Sequence, residues 1–183
     1  MNHFFHRIHG WFGFQDIYEA AVEKYDGIFV EIGAWKGRST AFLAVEALNS
    51  GKAIQIHVVD TFKGSDEPEH HNDPELPRLR EVFDANLAPV LDKLVVHEMT
   101  SVEAAELFDD ESVSFVFIDA AHDYESVRAD ILAWLPKLKS GGWMAGDDFY
   151  WGGQGEMRPI FRAVSELLPD FAVRGGSWEW VKP

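Results

Sequence analysis

Apolar runs alternate with amphipathic stretches along the 183 residues of the chain, and the alternation predicts strands interleaved with helices. Residues 15–24 put Ile17, Ala20, Ala21 and Val22 on a ragged helical face that breaks at Tyr25-Asp26-Gly27. Ile28, Phe29, Val30 and Ile32 then form a run suited to a buried strand, halted at Gly33, and a helix starting at Arg38 closes at Asn49-Ser50-Gly51. Residues 53–59 are the next strand, ending on Asp60. Leu79, Val82, Phe83 and Leu87 fall at helical spacing behind Asp73-Pro74, a start signal. Residues 94–97 are a short strand, Thr100-Ser101 caps a helix over 102–107, and 113–118 is the most apolar strand, ending on Asp119. Asp123 caps a helix carrying Val127, Ile131 and Leu135; Ser140-Gly141-Gly142 turns the chain into a strand over 143–146 that ends at Asp147-Asp148.

A last helix over about 158–168 follows a glycine-rich loop at 151–155, and two alternating runs around Gly175-Gly176 predict a hairpin. Strands that alternate with helices argue an α/β fold, a parallel sheet covered on both faces and closed by an antiparallel hairpin. The length suits one domain over 1–183, with 1–26 as an N-terminal helical segment. The polar run 61–77 is long for a compact domain and is a candidate lid. His70 and His71 lie in it, though loop histidines are commonly solvated.

The stretch I-F-V-E-I-G-A-W-K-G-R-S-T, 28–40, is a strand, glycine turn and helix start, a unit that offers unpaired N–H groups to a ligand. A dinucleotide turn needs G-x-G-x-x-G; here Gly37 comes four residues after Gly33 and no third glycine follows. Glu31 would repel a pyrophosphate and attract an ammonium group, directly or through water. The turn therefore suits a cationic ligand such as S-adenosylmethionine better than a phosphate. Asp60, closing the second strand, is what a ribose diol needs, since one carboxylate can accept from two vicinal hydroxyls.

E-I-G-A-W-K-G-R-S resembles motif I of class I S-adenosylmethionine-dependent methyltransferases, in the form found in catechol-type O-methyltransferases. D-T-F-K-G, 60–64, is similar to the segment after the second strand of macrocin-type sugar O-methyltransferases. I-D-A-A-H-D-Y followed by G-G-W-M-A-G-D-D looks like the metal site of both. The resemblance implies a Rossmann-like fold with a mostly parallel seven-stranded sheet, and a cofactor site at Glu31, Gly33, Ala34, Trp35, Gly37, Ser39, Asp60, Thr61, Ser101 and Asp119. It also implies a divalent cation, Mg²⁺ or another, on Asp119, Asp147 and Asp148. Ser101 serves equally as a helix cap, and Asp148 equally as a turn residue. His122 stands where catechol-type enzymes carry a lysine base, which leaves it as base, metal ligand or cofactor contact. A hydroxyl bound to a divalent ion loses its proton more readily, and an imidazole titrates near enough to neutrality to take it.

Composition narrows the partners. A net charge of −15 disfavours nucleic acid and anionic membrane surfaces, which leaves a small-molecule acceptor, a sugar or natural product. There is no cysteine, so thiolate metal sites and thiol nucleophiles are excluded. No apolar stretch approaches a membrane span or signal peptide, and the chain reads as cytoplasmic, with room for a homo-oligomer. His3, His6 and His9 recur every third residue but read as a surface segment, and Trp11, Phe12 and Phe14 as packing residues. The alternatives are a metal-independent methyltransferase, an NAD-dependent oxidoreductase and a non-catalytic binding module.

Overall fold

The structure, a computed structural model, describes residues 1–65, 68–152 and 158–183. Part of the acidic loop (66–67) and 153–155 of the glycine-rich loop lie outside the described residues. Seven strands form one sheet in the order β3-β2-β1-β4-β5-β7-β6. They are β1 (Gly27–Ile32), β2 (Ile54–Asp60), β3 (Leu94–Glu98), β4 (Val113–Ile118), β5 (Leu138–Gly146), β6 (Ala172–Arg174) and β7 (Ser177–Val181). The first five pair in parallel; β7 runs antiparallel to both β5 and β6. This is the class I methyltransferase arrangement that the hairpin around Gly175-Gly176 predicted.

Side-chain alternation sorts the two cores. Phe29 of β1 and Phe115 and Phe117 of β4 point into one core, with α1 (Gln15–Lys24), α2 (Arg38–Ser50) and α4 (Leu79–Asn86). Val30, Ile32, Val116 and Ile118 point into the other, with α5 (Ser101–Ala105), α6 (Tyr124–Trp134) and α7 (Pro159–Leu167). The central strands are buried on both faces, and β4 is buried at all six positions. A short helix, α3 (Pro68–His71), lies between β2 and α4.

Several boundaries moved for physical reasons. The turn read at 140–142 lies inside β5: between Val113↔Leu138 and Phe115↔Trp143, β4 advances two residues while β5 advances five. The excess bulges outward and pairs with the tail, Gly141 N–H donating to Lys182 and Lys182 N–H to Gly142. Thr100 alone caps α5, in a reciprocal box with Glu103, and Ser101 is the first helical residue. The helix expected from Asp73-Pro74 starts at Leu79, after a 3-10 turn at Leu76–Arg78. Asp123 caps α6 as expected, accepting from Ser126 N–H at 3.0 Å.

The N-terminal segment is tied down rather than loose. His3 stacks on Phe42 at 4.7 Å and contacts Glu46 at 2.7 Å, and Phe14 stacks on Phe117 at 4.2 Å. Its histidines form no cluster suited to a metal among the described residues.

On the outer strands, His57 and His97 stack, with ring nitrogens 2.9 Å apart, against Phe108. Burial foremost, and the neighbouring His97, push the His57 imidazole down to about 4. The unfolded chain takes up this proton near pH 6.5 and the folded chain only near 4, so the pair's stability is present at neutral pH and drains as pH falls between those values. Urea unfolding of wild type and His57→Gln at pH 7 and 5 should show the acid loss, on the order of 2 kcal/mol, reduced in the variant.

Candidate active site

The site starts from one close approach. Gly33 follows β1 with φ 86°, and a Cβ there would lie 1.8 Å from the Asp119 carbonyl oxygen at the end of β4. Only a glycine lets these two strand ends converge. The crossing is bonded on both sides: Gly33 N–H donates to Val59 at 2.9 Å and Asp119 N–H to Ile32 at 2.8 Å. Beyond the strand ends opens a cavity of about 420 Å³.

Asp60 braces the turn. Its Oδ2 accepts from the N–H groups of Ala34 and Trp35 at 2.8 and 3.0 Å, and Oδ1 accepts from Phe62 N–H at 2.6 Å. Trp35 keeps a left-handed backbone, φ 49°, and its ring stacks on His70 of α3 at 3.8 Å. Gly33, Ala34, Trp35, Ser39, Asp60, Thr61, Ser101 and Asp119 all line the cavity. Ser101 also accepts from Trp134 Nε1 at 2.9 Å, which fixes α5 against α6.

Glu31 and Gly37, both expected at the cofactor, do not line it. The period of a strand points Glu31 to the same side as Phe29, beneath α1, where it is 1% exposed. There its carboxylate accepts from Tyr18 at 2.7 Å and from Thr40, so it joins α1 and α2 to β1. Burial raises its pKa, against the pull of those hydroxyls. Gly37, φ 87°, sits at the N-cap of α2, where a side chain would crowd Leu87 and Phe83.

On the far side of the cavity, Asp119, His122 and Asp148 bring one ligand atom each within 4.8 Å of one another. His122 Nε2 lies 3.0 Å from Asp148 Oδ2. Asp148 has φ 56°, a conformation that costs energy in a non-glycine residue and aims its carboxylate at the histidine. The expected third carboxylate, Asp147, lines the cavity but stands outside this group, its Oδ1 accepting from Ser177 at 2.7 Å. His122, for which metal binding was one of the roles left open, stands in the group where Asp147 was expected. Burial foremost, and then the charges of Asp147 and Asp148, hold the Asp119 carboxyl well above its usual range, with His122 acting the other way. A cation in this group would relieve that repulsion; one imidazole and two carboxylates suit a divalent ion.

Three contributors were not foreseen as site residues. Ser177 belongs to the hairpin, and nothing local in the sequence ties it to Asp147. Arg38 lines the cavity and donates to Gly10 at 2.6 Å, which carries the N-terminal segment, with Trp11, to the rim. Trp151 faces His122 with ring centres 5.1 Å apart.

Residues 30–149 match a family model described as a methyltransferase domain. The chain belongs to that family. Family membership makes the protein an S-adenosylmethionine-dependent methyltransferase and sets the oxidoreductase reading aside. Solved structures similar to this methyltransferase include the O-methyltransferase NovP, at 18% identity with a TM-score of 0.69 over 92% of this chain and 78% of that one. CalS11, described as a TDP-rhamnose 3'-O-methyltransferase of calicheamicin biosynthesis, matches at 18% and 0.63 over 91% and 76%. Cofactor-bound Rv0187 from MTB matches at 19% and 0.64 over 92% and 78%. At these identities the likeness establishes the shared fold.

Gly33→Ala should abolish soluble expression or cost more than about 3 kcal/mol in urea unfolding, because the new methyl meets backbone on the opposite strand. Gly175→Ala, at φ 62° with open space around it, should cost only about 1 kcal/mol and serves as the control.

Proposed function

We propose that this methyltransferase transfers a methyl group to a hydroxyl of a small-molecule acceptor, assisted by a divalent cation. The observation that carries the reading is the convergence of Asp119, His122 and Asp148 at the rim of the same cavity that the glycine turn opens. The cavity's volume suits a small ligand.

S-adenosylmethionine supplies an electrophilic methyl on a cationic sulfonium. For its adenosine, Asp60 keeps acceptor capacity on Oδ1, which takes one N–H, and Ser101 lines the same cavity. For its amino-acid end, Arg38 and Ser39 stand at the start of α2. A divalent cation, Mg²⁺ or a similar ion, supplies charge that lowers the pKa of an acceptor hydroxyl. Asp119, His122 and Asp148 would hold that ion; rate comes from holding the acceptor oxygen in line with the methyl, so that the O–CH3 bond forms as the S–CH3 bond breaks, S-adenosylhomocysteine leaves and the hydroxyl proton passes to water.

A second reading drops the cation. The 3.0 Å contact between His122 and Asp148 resembles an oriented imidazole base, and His122 would then take the hydroxyl proton itself.

Calorimetry should show S-adenosylhomocysteine binding and no binding of NAD. At a hundredfold excess over its Kd the ligand should stabilise the fold by about 2.7 kcal/mol. Failure of S-adenosylhomocysteine to bind would overturn the reading. Mn²⁺ binding, followed by electron paramagnetic resonance, should weaken at least about tenfold in Asp148→Asn and His122→Ala but persist in Asp147→Asn. Wild-type protein that binds no Mn²⁺, together with turnover unaffected by chelator, would favour the imidazole base.

A further inference from the structure

A second cavity, of about 580 Å³, adjoins the first and shares Asp147, Asp148 and Trp151 with it. Of the Asp119–His122–Asp148 group it takes in Asp148 alone, and Asp60 is not among its lining residues. Its other walls come from two distant parts of the chain: Gly13 and Asp16 before and within α1, and Arg174 to Ser177 of the hairpin. Tyr150 and Trp151 add two aromatic rings that are 54% and 47% exposed.

The charges of this chamber are one-sided. Three carboxylates line it, from Asp16, Asp147 and Asp148. Its one lining cation among the described residues, Arg174, is already engaged, 3.7 Å from Asp16 and 3.3 Å from Glu179. Arg158 stands over the Tyr150 ring at 5.0 Å and is not part of the wall. The stretches outside the described residues contain Asp66, Glu67 and Glu156 and no lysine or arginine. A divalent ion on Asp119 and Asp148 would offset those two carboxylates; Asp147 and Asp16 still outnumber Arg174. A phosphate or carboxylate entering here would meet more negative than positive charge on the wall.

We infer that this second cavity is the acceptor subsite, and that it selects hydroxylated ring compounds bearing no anionic group, favouring those that carry an amine. The rings of Tyr150 and Trp151 give the acceptor an apolar and cation-attracting surface, and Asp147, together with Asp16, which is shared with Arg174 at 3.7 Å, gives an ammonium its counter-charge. Nucleotide-linked sugars, of the kind named for CalS11, would meet a wall of like charge. The inference rests on the methyl-transfer reading above and refines its acceptor.

The test uses the full chain with S-adenosylhomocysteine and Mg²⁺ bound, and three catechols that share one diol and differ in side-group charge: dopamine, 4-methylcatechol and 3,4-dihydroxybenzoate. Calorimetry at low salt should rank them in that order, with dopamine at least about tenfold tighter than the benzoate, and 0.5 M salt should narrow the gap. Asp16→Asn should narrow it severalfold while leaving S-adenosylhomocysteine affinity unchanged. Equal or tighter binding of the benzoate overturns the inference. So does a gap that neither salt nor Asp16→Asn alters, and so does binding of none of the three to protein that binds S-adenosylhomocysteine. Protein that fails to bind S-adenosylhomocysteine would instead overturn the underlying reading.

Discussion

The meeting of β1 and β4 at Gly33 is the constraint on which the rest of the structure depends. Where a methyl group would lie inside the van der Waals radius of the Asp119 carbonyl, hydrogen alone fits, and the two strand ends can cross-bond through Asp119 N–H and Ile32. That contact fixes the position of Asp119 relative to the turn. Asp60 then anchors the turn from the other side by accepting two of its N–H groups. The cavity and the acidic rim are thus two sides of a single backbone junction.

Buried polarity around this junction is paired rather than solvated. Glu31 is covered, yet both its oxygens accept from hydroxyls of α1 and α2, so the helices that roof one face are keyed to the strand that carries the turn. On the opposite face, Trp134 donates to Ser101 and keeps α5 at the edge of the cavity. At the rim Asp148 contacts His122 and Asp147 accepts from Ser177, while burial and the charges of Asp147 and Asp148 together raise the Asp119 carboxyl against the pull of His122.

Much of this was legible in the sequence because it follows from local rules. Strand runs ending in acids, the capped helices and the hairpin glycines gave the order of elements, and the spacing of Gly33 and Gly37 separated the turn from a dinucleotide motif. What was hidden depended on orientation. Glu31 looked like a ligand contact from its distance to Gly33 along the chain, but the two-residue period of β1 sends it under α1 with Phe29. Asp147 and Asp148 looked equivalent side by side; the left-handed backbone of Asp148 and the hydroxyl of Ser177 pull them to different tasks. No local pattern reveals a partner thirty residues away.

The position of β7 carries one more consequence. It lies between β5 and β6, Ser177 at its start holds Asp147, and the Trp178 ring occupies the space a side chain at Gly146 would need. An inner strand of the sheet therefore also contributes, through Ser177, to the wall of the second cavity. Reshaping that cavity from this side means altering a strand bonded on both edges, so the form of the cavity and the rigidity of the sheet are set by the same few side chains.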